Sequence, residues 1–182
     1  MGHREDLLEG AKACLLEKGW ARTTARDIVA ASGANLASIG YHYGGKDELM
    51  RAAFLALIDD WGVRVAAEVR GDTDRAKVWD AMIKGVDANR GFWLAQLEVL
   101  GQLEHNSKLK DFFVEVMPQG WEGMVTLFEG VPEDQVDKAR AGTDGWLYSA
   151  LFVGIWTQHL ISPDATPSGA QIEASLRRMA GG

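Results

Sequence analysis

The side chains of this 182-residue chain that could do chemistry fall into one dense cluster and a thin scatter. The cluster runs Asn35-Leu36-Ala37-Ser38-Ile39-Gly40-Tyr41-His42-Tyr43-Gly44-Gly45-Lys46-Asp47 and brings amide, hydroxyl, imidazole and ammonium groups close together. Its second half nearly spells a phosphate-cradling P-loop. Asp47 stands where a Ser or Thr must meet magnesium, however, and no strand precedes the loop, so nucleotide hydrolysis is set aside. The scatter is His3, His105, His159 and the lone Cys14. A metal site needs ligands at fixed short spacing and a disulfide needs a second cysteine, so neither is expected. No Ser or Cys sits in a local nucleophile signature. The expectation is a protein without a metal, a cofactor or a catalytic residue, whose chemistry is non-covalent binding.

For binding, the cluster has a particular form. Asn35, Leu36, Ala37, Ser38 and Gly40 are mostly small or polar, which would let a helix backbone sit deep in a DNA major groove. Tyr41 and His42 add donors at its end. Lys46 follows at the start of another helix, where unpaired backbone N–H groups already favour a phosphate.

The elements that must position these residues read as helices throughout. Leu7, Leu8, Ala11 and Leu15 recur at three and four and stop at Lys18-Gly19. Thr24 offers an N-cap, supported by Asp27, to a short helix carrying Ile28 and ending at Ser32-Gly33. A second short helix fits Asn35 to Tyr43 and breaks at Gly44-Gly45. Two short helices around Ser32-Gly33-Ala34 have the layout of a helix-turn-helix. Ile28, Ala31, Ala34, Ile39 and Tyr43 are assigned to its core.

Asp47-Glu48 then opens a long helix reaching Val65. Further helices are marked by Val78 to Val86, Phe92 to Leu103, and Leu109 to Val116, the last expected to end or kink at Pro118. Trp121 to Phe128 form another. A long helix is expected over about 133–160 and a final one over about 168–179. The predicted fold class is all-α: an N-terminal three-helix helix-turn-helix domain, residues 1–48, and a C-terminal helical bundle, residues 49–182, with the helix from about residue 46 linking them.

Charge divides the chain in the same way. The net charge of −7 lies wholly beyond residue 58, and the first 58 residues are neutral. An acidic remainder would repel phosphates and restrict docking to one face. No apolar run reaches the roughly 18 residues of a membrane span, and the charged N-terminus lacks a signal-peptide core. A soluble cytoplasmic protein is expected, with no membrane partner.

At Gly19-Trp20, Thr23-Thr24-Ala25-Arg26-Asp27-Ile28 and Ser38-Ile39-Gly40-Tyr41-His42-Tyr43-Gly44-Gly45-Lys46-Asp47-Glu48-Leu49 the sequence resembles the TetR (tetracycline-repressor-like) family of bacterial transcriptional regulators. Ala34, Tyr43 and Gly45 depart from the residues common there, and none of these changes removes a donor. The resemblance implies that Thr24, Arg26, Tyr41, His42 and Lys46 contact backbone phosphates. It implies that Asn35, Leu36, Ala37 and Ser38 face base edges, with Gly40 allowing close approach. By side chain, Asn35 and Ser38 could hydrogen-bond a base, while Leu36 and Ala37 could pack on thymine methyls. DNA shape would supply further selectivity.

The resemblance also implies a homodimer and a small-molecule effector bound in the C-terminal helices. The stretch from Trp146 to Trp156 is apolar nearly all round and so must be covered on several sides. A dimer interface would cover it, with Ala150 and Gly154 permitting close helix approach. Six Trp lie beyond residue 58. On composition, Trp61, Trp79, Trp93, Phe113, Trp121 and Trp156 are candidate lining residues for a large apolar or aromatic effector. The function implied is a repressor released from a palindromic double-stranded operator by its effector. The rival is a helical small-molecule binder without sequence-specific DNA binding, in which the Thr24, Arg26, Tyr41, His42 and Lys46 set would be free to drift.

Overall fold

The Thr24 hydroxyl accepts the Asp27 N–H, and the Asp27 carboxylate accepts the Thr24 N–H at 2.8 Å, a reciprocal capping box that starts the second helix. The computed structural model to which this box belongs describes residues 3–70, 72 and 74–181. The helices are α1 (His3–Lys18), α2 (Ala25–Ser32), α3 (Leu36–Tyr43), α4 (Lys46–Val69), α5 (Arg75–Ala88), α6 (Arg90–Gln102), α7 (Ser107–Glu129), α8 (Lys138–Arg140), α9 (Trp146–Ile161) and α10 (Gly169–Met179). Among the described residues there is no strand. Gly33 and Gly44 end α2 and α3 in the left-handed region, at φ 69° and 79°, where a side chain would be strained.

Two compact units form. The first runs to Trp61 and takes in Asn89–His105, so α6 belongs to the same unit as α1, α2, α3 and the first part of α4. Its core holds Leu7, Leu15, Ile28, Ile39, Leu49, Phe54, Phe92 and Trp93, all nearly sealed from solvent. The second contains Gly62–Ala88 and the chain from Asn106 onward. The packing units do not coincide with the division drawn from the sequence at residue 48.

Three expectations need correction. The helices expected over Leu109 to Val116 and Trp121 to Phe128 are one, because α7 continues through Pro118 to Glu129. Val114, whose carbonyl has no N–H partner at Pro118, is exposed, so that carbonyl can be hydrated. The helix expected over 133–160 is interrupted. A 3-10 turn over Glu133–Gln135 ends at the extended Val136, and α8 passes into a π-turn, Ala141–Gly145, before α9. Glycine is required at 145, where a β-carbon would collide with the Trp121 carbonyl on α7. Finally, of the core assigned to the helix-turn-helix, only Ile28 and Ile39 are buried. Ala31 is exposed, and Ala34 and Tyr43 are half-buried because they lie at the edges of two short helices with little to cover them.

Candidate nucleic-acid interface

The segment leading into α2 is held from three sides. Thr23 is buried, and its hydroxyl donates to the Gly19 carbonyl at 2.7 Å and lies 3.2 Å from the Cys14 carbonyl. From the start of α4, the Lys46 ammonium donates to the Thr23 carbonyl at 3.2 Å. From α6, the Glu98 carboxylate accepts the Ala21 N–H at 3.1 Å. Lys18 at the end of α1 donates to Asp27 at 2.7 Å, and with the Thr24 bonds it holds the Asp27 carboxyl well below the usual carboxylate range. Burial pushes the Cys14 thiol up, which keeps it protonated and inert.

On α3 the Asn35 side-chain oxygen accepts the Ser38 N–H at 3.0 Å and forms the N-cap. Tyr43 at the other end donates its hydroxyl to the Arg4 carbonyl at 2.8 Å, with the Arg4 guanidinium 5.4 Å from the ring centre, and so braces α3 against α1. Between these ties, Ile39 faces inward and is 3% exposed, while Leu36, Ala37, Gly40 and Tyr41 face outward. Tyr41 is 85% exposed, its ring edge-on to His42. A rigid helix thus presents a bare outer arc.

The other expected DNA contacts belong to the same unit. Arg26 is exposed in the first turn of α2, where backbone N–H groups lack intrahelical partners. Thr24 is exposed, but its hydroxyl is used in the capping box. Lys46 and His42 are half-buried, Lys46 with its ammonium also 3.8 Å from Asp47.

A model of the family described as bacterial regulatory proteins, tetR family, matches residues 7–53, the stretch that builds this arrangement. Over these residues the chain is similar to the TetR family. The HTH-type transcriptional repressor AcnR of Corynebacterium efficiens is 32% identical over 108 residues, covering 59% of this chain and 54% of that protein. AcnR of Corynebacterium glutamicum is 34% identical over 101 residues, covering 55% and 50%. The chain therefore spans about half the length of the curated relatives it matches. A crystal structure of a TetR-family regulator from a Rhodococcus species shares the fold with a TM-score of 0.72 at 15% identity, covering 97% of this chain and 98% of that one.

The six rings put forward for an effector divide between the two units. Trp61 and Trp93 pack edge to face, 5.3 Å between centroids, in the first unit. Trp79, Phe113, Trp121 and Trp156 belong to the second. Trp79 and Trp156 are sealed, and only Phe113 and Trp121 of the six are half-buried. A groove of about 540 Å³ does open in the second unit, lined by Leu151, Ile155, Ile161, Ile172, Leu176 and Met179 among others, and none of the six lines it.

Sequence reasoning missed the long-range polar ties. Buried Glu173 on α10 accepts the Trp79 N–H at 2.8 Å, with the Arg75 guanidinium 3.7 Å away. Buried His159 bridges Asp87 at 2.9 Å and Thr166 at 2.8 Å, pinning α9 between α5 and the turn before α10. Partners 94 and 72 residues apart leave no local signal in the chain. Among the described residues no group of three or more His, Cys, Asp or Glu could hold a metal ion, and no helix is long and apolar enough to cross a membrane.

Proposed function

We propose that this chain is a TetR-family, homodimeric, DNA-binding transcriptional regulator of the cytoplasm, acting as a repressor that a small apolar or aromatic effector releases from a palindromic operator. The observation that carries the reading is the outer arc of α3, left bare on a helix that caps and ties hold rigid within the segment matching the family. Such a helix suits insertion in the major groove, with the α2 N-terminus, Arg26, Tyr41, His42 and Lys46 placed toward the flanking phosphates. Residues 1–48 carry this role and residues 49–182 carry dimerisation and effector binding.

Dimerisation through α9 and α10 is supported by the apolar surface they leave uncovered. Leu147, Val153, Ile161 and Met179 are 52%, 41%, 80% and 79% exposed, and Ala150 and Gly154 lie on the same open side of α9. Pairing two copies would set their α3 helices to enter successive grooves about 34–36 Å apart, or a multiple of that. An effector would act by binding more tightly to a dimer with a different spacing, and its differential affinity sets the size of the response. Phe113 and Trp121 are the candidate rings it could reach without repacking the core. The repressor sense follows the two AcnR relatives.

Footprinting of the purified protein on DNA flanking its own gene, at near-physiological salt, tests the reading. A protected, near-palindromic stretch is expected. Equal affinity for that stretch and for random duplex would overturn it.

A further inference from the structure

We infer that α3 reads its operator chiefly through the C5-methyl groups of thymine, with Leu36 as the reading side chain, and that Asn35 positions the helix rather than reading a base. The inference rests on the proposed DNA-binding function and specifies what that site recognises.

It follows from which side chains are left over. At about 100° per residue, Leu36, Gly40, Ala37 and Tyr41 fill one arc of about 140°. All four are exposed, and Ile39 on the opposite side is buried. Ser38 turns about 200° from Leu36 on the same geometry and is half-buried. Asn35 is committed: its side-chain oxygen accepts the Ser38 N–H, which ties the amide to the helix end and leaves it less free than the turning amide that grips adenine with a donor–acceptor pair. The arc therefore contains one hydrogen-bonding side chain, Tyr41, at its edge and near the end of the helix. Its first turn presents Leu36 with 55% of its surface in water.

An apolar side chain in the major groove has one apolar group to meet on the base edges, the thymine C5-methyl. Contact removes both surfaces from water. Ala37 widens the apolar strip, and Gly40 adds no side chain that would hold the backbone away.

The test uses the full-length protein. Binding sites are first selected from a randomised duplex pool. Each thymine of the selected half-site is then replaced by uracil, which keeps the pairing and the O4 acceptor and deletes only the methyl. At one or two positions per half-site the replacement should weaken binding about threefold to tenfold, the size expected for one buried methyl. Leu36→Ala, a change at an exposed position, should erase the penalty at the thymine it touches. Asn35→Asp, which keeps the cap, should retain the same preferred bases. An enriched site insensitive to every uracil replacement, or a changed preferred base in Asn35→Asp, would overturn the inference and leave the DNA-binding function standing. No enriched site at all would overturn both.

Discussion

The ammonium of Lys46, at the first position of α4, donates to the backbone carbonyl of Thr23, 3.2 Å away and just before α2. The residue expected to hold a phosphate thus also ties the two helix starts that would flank the DNA backbone. Lys46→Met should cost about 1 kcal/mol of stability, the usual worth of a hydrogen bond to a carbonyl. It should also weaken binding to all DNA and lower the salt slope by about one unit. Urea unfolding and salt titrations separate the two effects. Lost stability with an unchanged slope would assign Lys46 to the fold alone.

Gly40 sits inside α3 with nothing within 4 Å of where a β-carbon would stand. Gly40→Ala should therefore raise stability by up to about 1 kcal/mol, the helix-propensity difference. DNA binding should fall in the same variant, because an inserted methyl in a tight interface costs roughly 1–3 kcal/mol. Gains in both thermal midpoint and operator affinity would show that the backbone of α3 does not approach the bases closely.

Acid should weaken the start of α2. The folded-state carboxyl of Asp27 is depressed by Lys18 and the Thr24 bonds. Its contribution is therefore complete above the ordinary aspartate value, near 3.8, and is lost as pH falls through the folded value. The stability gap between the native chain and Asp27→Asn should hold from neutral pH to about pH 4–5 and then shrink. Denaturant unfolding over a pH series measures it. A gap that stays constant down to pH 3 would contradict the Lys18–Asp27 pairing.

Glu173 is buried and accepts the Trp79 N–H beside the Arg75 guanidinium. Glu173→Ala should destabilise the protein by about 2–4 kcal/mol, since it strands a buried donor and uncouples an ion pair. Glu173→Gln keeps an acceptor and should cost clearly less. Equal losses for the two variants would mean that charge, rather than the tryptophan bond, makes Glu173 matter.

Ile161 ends α9 with 80% of its surface exposed. Ile161→Asp should leave the monomer folded and shift the protein from dimer to monomer in light scattering. Operator affinity should fall with it, because each monomer keeps only one reading helix. A dimer undisturbed by this change and by Leu147→Asp would place the interface elsewhere.

Local signals determined the two short helices, α2 and α3. Thr24 with Asp27, Asn35, Gly33 and Gly44 act on neighbours within four residues, so caps and stops could be read directly and the structure places them as expected. The all-helical class follows from the same three-and-four periodicity. The resemblance to the TetR family was visible because the residues that carry it lie close together in the chain. What tertiary structure decided depends on distance along the chain. Glu98 reaches Ala21 from 77 residues away, which ties α6 to the segment leading into α2. Which tryptophans are sealed was equally hidden, since a ring in an apolar helix carries no mark of its partner. Asn35 shows the boundary most clearly. Its type suits both a cap and a base reader, and only the fold shows its side-chain oxygen accepting the Ser38 N–H as the cap of α3.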